Sequence, residues 1–281
     1  MVRPRPYFYT DLLRNERIDV NKALQSLLNS GQYFHWKEEN GVVAMANGAD
    51  AFFLTKEGLV GDRDRFRRFV DAGRNYGPIR RHILEAEDLR DLRAYLSLRI
   101  LRQDPWEAIV AFILSANNHF GRIQNTVLAL AETYGEQLAE YEGRAAFALP
   151  SPAATAALDP AHLRALGAGY RDRYLVETAE KVASGAFDIN APYDLSYAEA
   201  KAYLKTLSGV GPKVADCILL FGYGKLDAFP VDTWIAKAMA RFGEFPSREA
   251  MCRYGVRRFG PYAGYVQQLL FVSEREKGRK P

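Results

Sequence analysis

Residues 207–233 of this 281-residue chain read LSGVGPKVADCILLFGYGKLDAFPVDT, and their reading decides the fold. Just upstream, Ser196 and Glu199 make an S-x-x-E capping box that opens a helix over 197–207. Ser208-Gly209-Val210-Gly211 is a tight connection, and Pro212 suits the first turn of a second helix. Two helices joined by G-x-G expose backbone N–H groups at a helix N-terminus. With the helix dipole these favour a phosphate. The hairpin, about 196–222, reads as a clamp through Gly209 and Gly211 on nucleic-acid backbone, a contact that positions without specifying sequence.

Lys213 follows at the second position of that helix. The positive dipole end disfavours an ammonium there, and partial burial would disfavour it further, both toward the free amine that covalent catalysis needs. A lysine that holds phosphate would do better as a cation, and position alone leaves both readings open. Cys217 lies four residues on, on the same helix face. It reads as a small buried hydrophobe or, if ionised, as a partner for the ammonium. Asp232, 19 residues after Lys213 (232 − 213), heads a helix over 233–242 as an N-cap. A rigidly held carboxylate there is also able to stabilise positive charge on a sugar ring.

Composition narrows the classes. A hydrophobic fraction of 48% allows a sizeable core in one large or two moderate domains. No apolar run is long enough to span a bilayer, and the start, MVRPRPYFYTD, has no signal-type stretch, so a cytoplasmic location without membrane contact is expected. Two cysteines, Cys217 and Cys252, exclude a Cys-rich metal or iron–sulfur site. A net charge of +4 is compatible with a polyanionic partner.

The remaining segments fall in order. Residues 33–39, 42–46 and 51–55 read as an antiparallel meander with turns at Asn40-Gly41 and Asn47-Gly48, closed by Lys56-Glu57-Gly58. A helix over 20–29 would back it. Gly31, just before the first strand, reads as a turn glycine. From Asp62 onward helices are expected throughout. Asp104-Pro105 opens one, with Trp106, Ile109, Val110, Ile113 and Leu114 on one face and Asn117 at its end. Arg122 falls in the next helix. Tyr170 and Arg171 begin a helix running to about 184, suited to DNA insertion or to a basic turn over a core tyrosine. The last helix starts at Pro261; its core stripe leaves Gln267 and Phe271 on another face, where an aromatic beside an amide suits a flipped base.

LSGVGPKVADC followed by FPVD resembles the helix-hairpin-helix DNA glycosylase superfamily, and specifically the 8-oxoguanine DNA glycosylases. SGQYFHW, DPWEAIVAFILSANNHFGR, LGAGYRDRYL and FGPYAGYVQQLLF resemble further family segments in the same order. The resemblance implies an α+β fold: a TBP-like antiparallel sheet domain over 1–92, then a mostly helical region of two subdomains over 93–281. It implies a monomer that excises oxidised guanine from double-stranded DNA and nicks the strand, with Lys213 as Schiff-base nucleophile and Asp232 as the essential aspartate. Gly31, Cys217, Gln267 and Phe271 match the base pocket. Asn117, Arg122 and Arg171 match readers of the orphaned cytosine, and Tyr170 the wedge. No cofactor or catalytic metal is implied, but the carbonyls of Lys205, Leu207 and Val210 match a monovalent-cation site. Trp234 and His119 depart from the His and Asn of animal members. The competing readings are a monofunctional glycosylase for alkylated bases, using Asp232 and water, and a non-enzymatic DNA-binding module.

Overall fold

The computed structural model describes Leu28 and residues 30–279; the helix expected over 20–29 lies outside them apart from Leu28. Asn40-Gly41 makes the expected turn, with φ of 50° and 77°. Both central residues at positive φ match the twist of paired strands. It joins β1 (Trp36–Glu39) to β2 (Val42–Asn47). β3 (Asp50–Thr55) follows, and the sheet does not end where the sequence suggested. Gly58 starts a fourth strand, β4 (Gly58–Val60), in the order β1-β2-β3-β4. Three buried residues, with Leu59 opposite Leu54 and Val60 opposite Phe53, are enough to pair but too few to show alternation.

Helices then dominate. α1 (Arg63–Phe69) and α2 (Gly77–Glu85) lead through a 3₁₀ segment, Glu87–Tyr95, to α3 (Pro105–Ser115) and α4 (Phe120–Tyr134). Asp104 caps α3 as expected, its carboxylate accepting from the N–H groups of Trp106 and Glu107. Every residue of α3 from Trp106 to Leu114 is buried, so the single apolar face read from the sequence understates it. An all-round apolar helix is a central one.

A second departure follows α4. β5 (Gln137–Tyr141) and β6 (Arg144–Phe147) form a hairpin where only helix and loop were expected. Glu142 and Gly143 turn it with φ of 49° and 76°. Its alanines, Ala139, Ala145 and Ala146, carry little strand preference, which hides it from pattern reading. It covers the outer sheet face, where Val42, Phe53, Val60 and Ala146 form a small core of their own.

α5 (Pro152–Ala156), α6 (Pro160–Leu163) and α7 (Asp172–Ala183) follow, then the hairpin helices α8 (Tyr197–Leu204) and α9 (Pro212–Phe221). α10 (Thr233–Met239), α11 (Arg248–Phe259) and α12 (Ala263–Arg279) complete the chain. Helix starts shift slightly from expectation. Tyr170 and Arg171 sit in a 3₁₀ turn before α7, and Pro261 in another before α12. The inner sheet face and the helices share one apolar core, from Leu28 through Phe52 and Ile109 to Val272. That core runs across the boundary expected at residue 92. Among the described residues, no helix is long and apolar enough to cross a membrane.

The hairpin is locked by a buried polar cluster. The capping box at Ser196 and Glu199 forms as read. On the inner side, Lys201 of α8 donates to Asp216 of α9 at 2.7 Å, and Tyr197 donates to the other carboxylate oxygen at 2.7 Å. Cys252 of α11 closes the cluster, 3.6 Å from Asp216. Burial pushes the Asp216 carboxyl upward, and the Lys201 ammonium works against that shift. Removing one member of a buried pair costs more than the pair contributes, because the other charge is stranded. Lys201→Met is therefore expected to lower the unfolding free energy by roughly 3 kcal/mol in urea titration. Adding Asp216→Leu should recover most of that loss, and an unchanged midpoint in Lys201→Met would contradict the lock.

Candidate active site

A cavity of about 810 Å³ opens between α3, α9, the start of α10 and α12. It brings together Gly31, Asn117, Lys213, Cys217, Asp232, Gln267 and Phe271, seven of the residues singled out from the sequence. They come from positions as far apart as 31 and 271.

Pro212 starts α9, and this places Lys213 in its first turn, half-buried at the cavity wall. Its Nζ donates to Ser115 Oγ at 3.2 Å and lies 5.7 Å from the centre of the Phe112 ring. Ser115 in turn donates to the Phe112 carbonyl at 2.7 Å, so its hydroxyl is oriented to accept from the lysine. Among the described residues no ion pair holds Lys213. Its surroundings are a hydroxyl acceptor, an aromatic face and the N-terminal end of a helix.

Cys217 lies one turn deeper and is 4% exposed. Burial pushes its thiol up to about 11, with nearby Asp232 and Asp216 adding to the shift and the Lys213 charge opposing it. The thiol is therefore neutral near pH 7, and the alternative of a thiolate paired with the lysine falls away. Asp232 caps α10, accepting from the Ile235 N–H at 2.8 Å, and still faces the cavity. The cap and the catalytic reading are compatible, because the bond to Ile235 fixes the carboxylate.

Gln267 is 4% exposed. Its Nε2 donates to the Pro230 carbonyl at 3.1 Å, two residues before Asp232, and its Oε1 is buried with no hydrogen-bond partner among the described residues. An orphaned buried acceptor is costly unless a ligand completes it. Phe271 sits one turn later and lines the same cavity. Gly31 has φ of 78°, and a Cβ there would lie 2.9 Å from both Phe271 Cε1 and Arg275 Nη1. The turn reading was right about its backbone and missed its second constraint, close approach to the Phe271 ring.

A second group faces outward beside the cavity. Asn117 is exposed just past α3, with φ of 48°. Tyr170 is 55% exposed. Arg122 is exposed in the first turn of α4, and its guanidinium approaches Gly169, beside Arg171. Arg171 itself is turned inward and buried. Its guanidinium donates to the carbonyls of Ala116, Asn117 and Ala168 and stacks 4.3 Å from the Tyr170 ring centre. In this arrangement it holds the Asn117 loop and presents no edge to solvent.

In the hairpin, Gly209 has φ of 78°, and a Cβ would meet the Tyr174 ring at 2.8 Å. Gly211 adopts ordinary extended backbone, so only Gly209 is demanded by conformation. Near the carbonyls of Lys205, Leu207 and Val210, the Val210 N–H donates to Leu207 O at 3.2 Å, and Lys181 Nζ donates to Thr206 O at 2.5 Å.

The departures have local roles. His119 caps α4, its Nδ1 accepting from the Arg122 N–H at 3.3 Å. Trp234 packs against Gly278 of α12 and carries Lys237 Nζ 5.0 Å from its ring. Sequence reading missed Phe112, Ser115 and Arg275. Phe112 and Ser115 share a helix face at i and i+3, but the apolar stripe drew the reading to the opposite face of α3.

A family model, the HhH-GPD superfamily base excision DNA repair protein, matches residues 110–253, just over half the chain. The chain belongs to this family. Within the HhH-GPD superfamily it is similar to an N-glycosylase/DNA lyase of Saccharomyces cerevisiae, 25% identical over 92% of this chain and 85% of that protein. A probable N-glycosylase/DNA lyase of Methanothermobacter thermautotrophicus is 33% identical over 67% of this chain and 65% of its own length. Among solved structures, an 8-oxoguanine glycosylase/lyase of Clostridium acetobutylicum bound to double-stranded DNA, with cytosine opposite 8-oxoguanine, superposes with a TM-score of 0.84. It is 31% identical and covers 91% of this chain and 92% of its own.

Two outcomes are expected from this geometry in an HhH-GPD protein. Gly31→Ala forces a left-handed L-residue and presses on Phe271, costing about 1–2 kcal/mol of stability by thermal or urea unfolding. Since the Cys217 thiol titrates only at about 11, Cys217→Ala should leave the shape of the activity–pH profile below that value unchanged. A lost ionisation limb in the variant would show that a thiolate takes part.

Proposed function

We propose that this protein is a bifunctional DNA glycosylase and abasic-site lyase that excises 8-oxoguanine from double-stranded DNA. The observation that carries the reading is the shared cavity. A half-buried amine at a helix N-terminus, a fixed carboxylate, and an orphaned amide oxygen beside an aromatic ring all face it. A phosphate anchor alone would need none of the last three. The relatives named above, both glycosylase/lyases by name, and the DNA-bound structural neighbour support the same class.

In this reading the damaged nucleotide leaves the stack and enters the cavity. Phe271 stacks on the base, Gln267 Oε1 accepts from its Watson–Crick edge, and the Gly31 carbonyl accepts the N7 hydrogen that guanine lacks. Lys213 Nζ forms a bond to C1′ as the glycosidic bond breaks, and the base departs with the electron pair and is protonated. Asp232 stabilises the positive charge that develops on the sugar. Loss of a proton from nitrogen and opening of the ring give the Schiff base. Removal of a C2′ proton then expels the 3′ phosphate and nicks the strand. Tyr170 fills the gap in the stack, while Asn117 and Arg122 face the orphaned cytosine on the loop that Arg171 braces. The hairpin around Gly209 and Gly211 holds backbone phosphate. A monovalent cation on the carbonyls of Lys205, Leu207 and Val210 belongs to the same proposal. Such hard oxygen donors suit it, and it would add positive charge beside the phosphate.

A monofunctional enzyme using Asp232 and water would not require the amine. Borohydride reduction in the presence of a duplex containing 8-oxoguanine opposite cytosine separates the readings. A covalent adduct is expected for the native protein and none for Lys213→Gln. Base release without an adduct in the native protein would overturn the bifunctional reading. Arg122→Ala is expected to erode the preference for cytosine over the other three opposite bases, read as relative excision rates. Rates that keep the native order and spread would remove Arg122 from that role.

A further inference from the structure

The Gly31 wall of the cavity is held by amides that the proposed chemistry does not use. Gln268 is 2% exposed and follows Gln267 on α12. Its Nε2 donates to the Ser30 carbonyl at 2.9 Å, across 238 residues of sequence. Gln32, fully buried, donates to Ser30 Oγ at 2.9 Å and to the Arg99 carbonyl at 3.0 Å, and accepts from the Leu101 N–H at 2.9 Å. Gln103 donates to the Gln32 carbonyl. The two carbonyls that flank Gly31 in sequence, those of Ser30 and Gln32, are thus each fixed by a glutamine amide from elsewhere in the chain. The Phe271 ring and Arg275 close over the glycine itself.

We propose that Gln268 is a positioning residue for lesion selection, holding the Ser30–Gly31 peptide so that the Gly31 carbonyl cannot turn away from the base. The inference rests on the function proposed above. The two bases differ at N7: the oxidised base carries a hydrogen there and guanine a lone pair. A fixed carbonyl accepts from the first and opposes the second with its own lone pair. A glycine carbonyl is the easiest in a chain to rotate, since no Cβ restricts its backbone. If it rotated, guanine would escape the repulsion, and the contact would distinguish little. Rigidity at Ser30 and Gln32 therefore sets how much of the N7 difference is expressed. Gln267 and Gln268 are consecutive on one helix. The helix thus fixes the wall at Gly31 relative to the Pro230–Asp232 segment, which Gln267 holds from the same turn.

The test measures affinity in a Lys213→Gln background, so that no chemistry intervenes. Duplexes carrying 8-oxoguanine, guanine or an abasic-site analogue opposite cytosine are titrated against Lys213→Gln and against the same chain with Gln268→Leu added. Addition of Gln268→Leu should lower the 8-oxoguanine-to-guanine affinity ratio by about tenfold, chiefly through tighter guanine binding. Affinity for the abasic duplex, which presents no base to the wall, should not change. Gln268→Met, of similar size but with no donor, carries the same expectation. An unchanged ratio in either variant that retains abasic binding overturns the inference. Loss of abasic binding in both variants also overturns it, because Gln268 would then serve the fold as a whole. A Lys213→Gln protein that shows no preference for 8-oxoguanine over guanine sinks the proposed function instead.

Discussion

A buried amide must find partners for both its ends, and two adjacent amides on α12 organise the cavity under that constraint. Gln268 reaches the Ser30 carbonyl and Gln267 the Pro230 carbonyl, so one helical turn ties the strand-side wall to the segment that presents Asp232. An unpaired amide group in a dry interior costs about 1–3 kcal/mol, so these bonds tolerate little drift. The exception is informative. Among the described residues Gln267 Oε1 is left without a partner, one turn before Phe271 and at the cavity described above. The fold keeps that cost at the place where an incoming base edge would remove it.

The lysine is placed by a different device. Pro212 fixes the first turn of α9, and the hairpin lock at Lys201, Asp216, Tyr197 and Cys252 pins α9 to α8 and α11 from the side away from the cavity. Asp216 and Lys213 are three residues apart on the same helix, yet the carboxylate is engaged by Lys201 at 2.7 Å. Had Asp216 been open to Lys213, the two would have formed an ion pair one turn apart and drawn the lysine along the helix. The lock therefore does two things at once: it holds the helix still and keeps a buried anion occupied elsewhere. Lys213 is left to Ser115 and the Phe112 ring, which hold its position without a formal charge.

Much of this was legible in the sequence where local chemistry is strong. The capping box at Ser196, the caps at Asp104 and Asp232, and the Asn40-Gly41 turn are all in place, because each depends on residues within four positions of one another. β4 and the β5–β6 hairpin were not legible. The first is only three residues long, and the second is built on alanines whose strand pairing is imposed by the sheet beneath. The cavity residues fall between these cases. Gln267 and Phe271 showed as an odd face of an apolar helix, whereas Ser115 lay opposite the apolar stripe that marked Trp106 to Leu114 as the core face.

Gly31 shows why local reading stops short. Its φ of 78° was inferable from its place before a strand, and a turn glycine explains that angle completely. What no local pattern reveals is that Phe271, 240 residues away (271 − 31), leaves no room for a Cβ, or that buried amides fix the peptides on both sides. A turn on the surface would need only the backbone freedom. In the function proposed above, the wall judges one atom of a base, and that task needs freedom of conformation and absence of motion together. Glycine supplies the first, and the glutamines at 32, 103 and 268 supply the second. The residue that looked most ordinary in the sequence is thus the one whose surroundings are most tightly specified, and that specification lies in partners hundreds of residues apart.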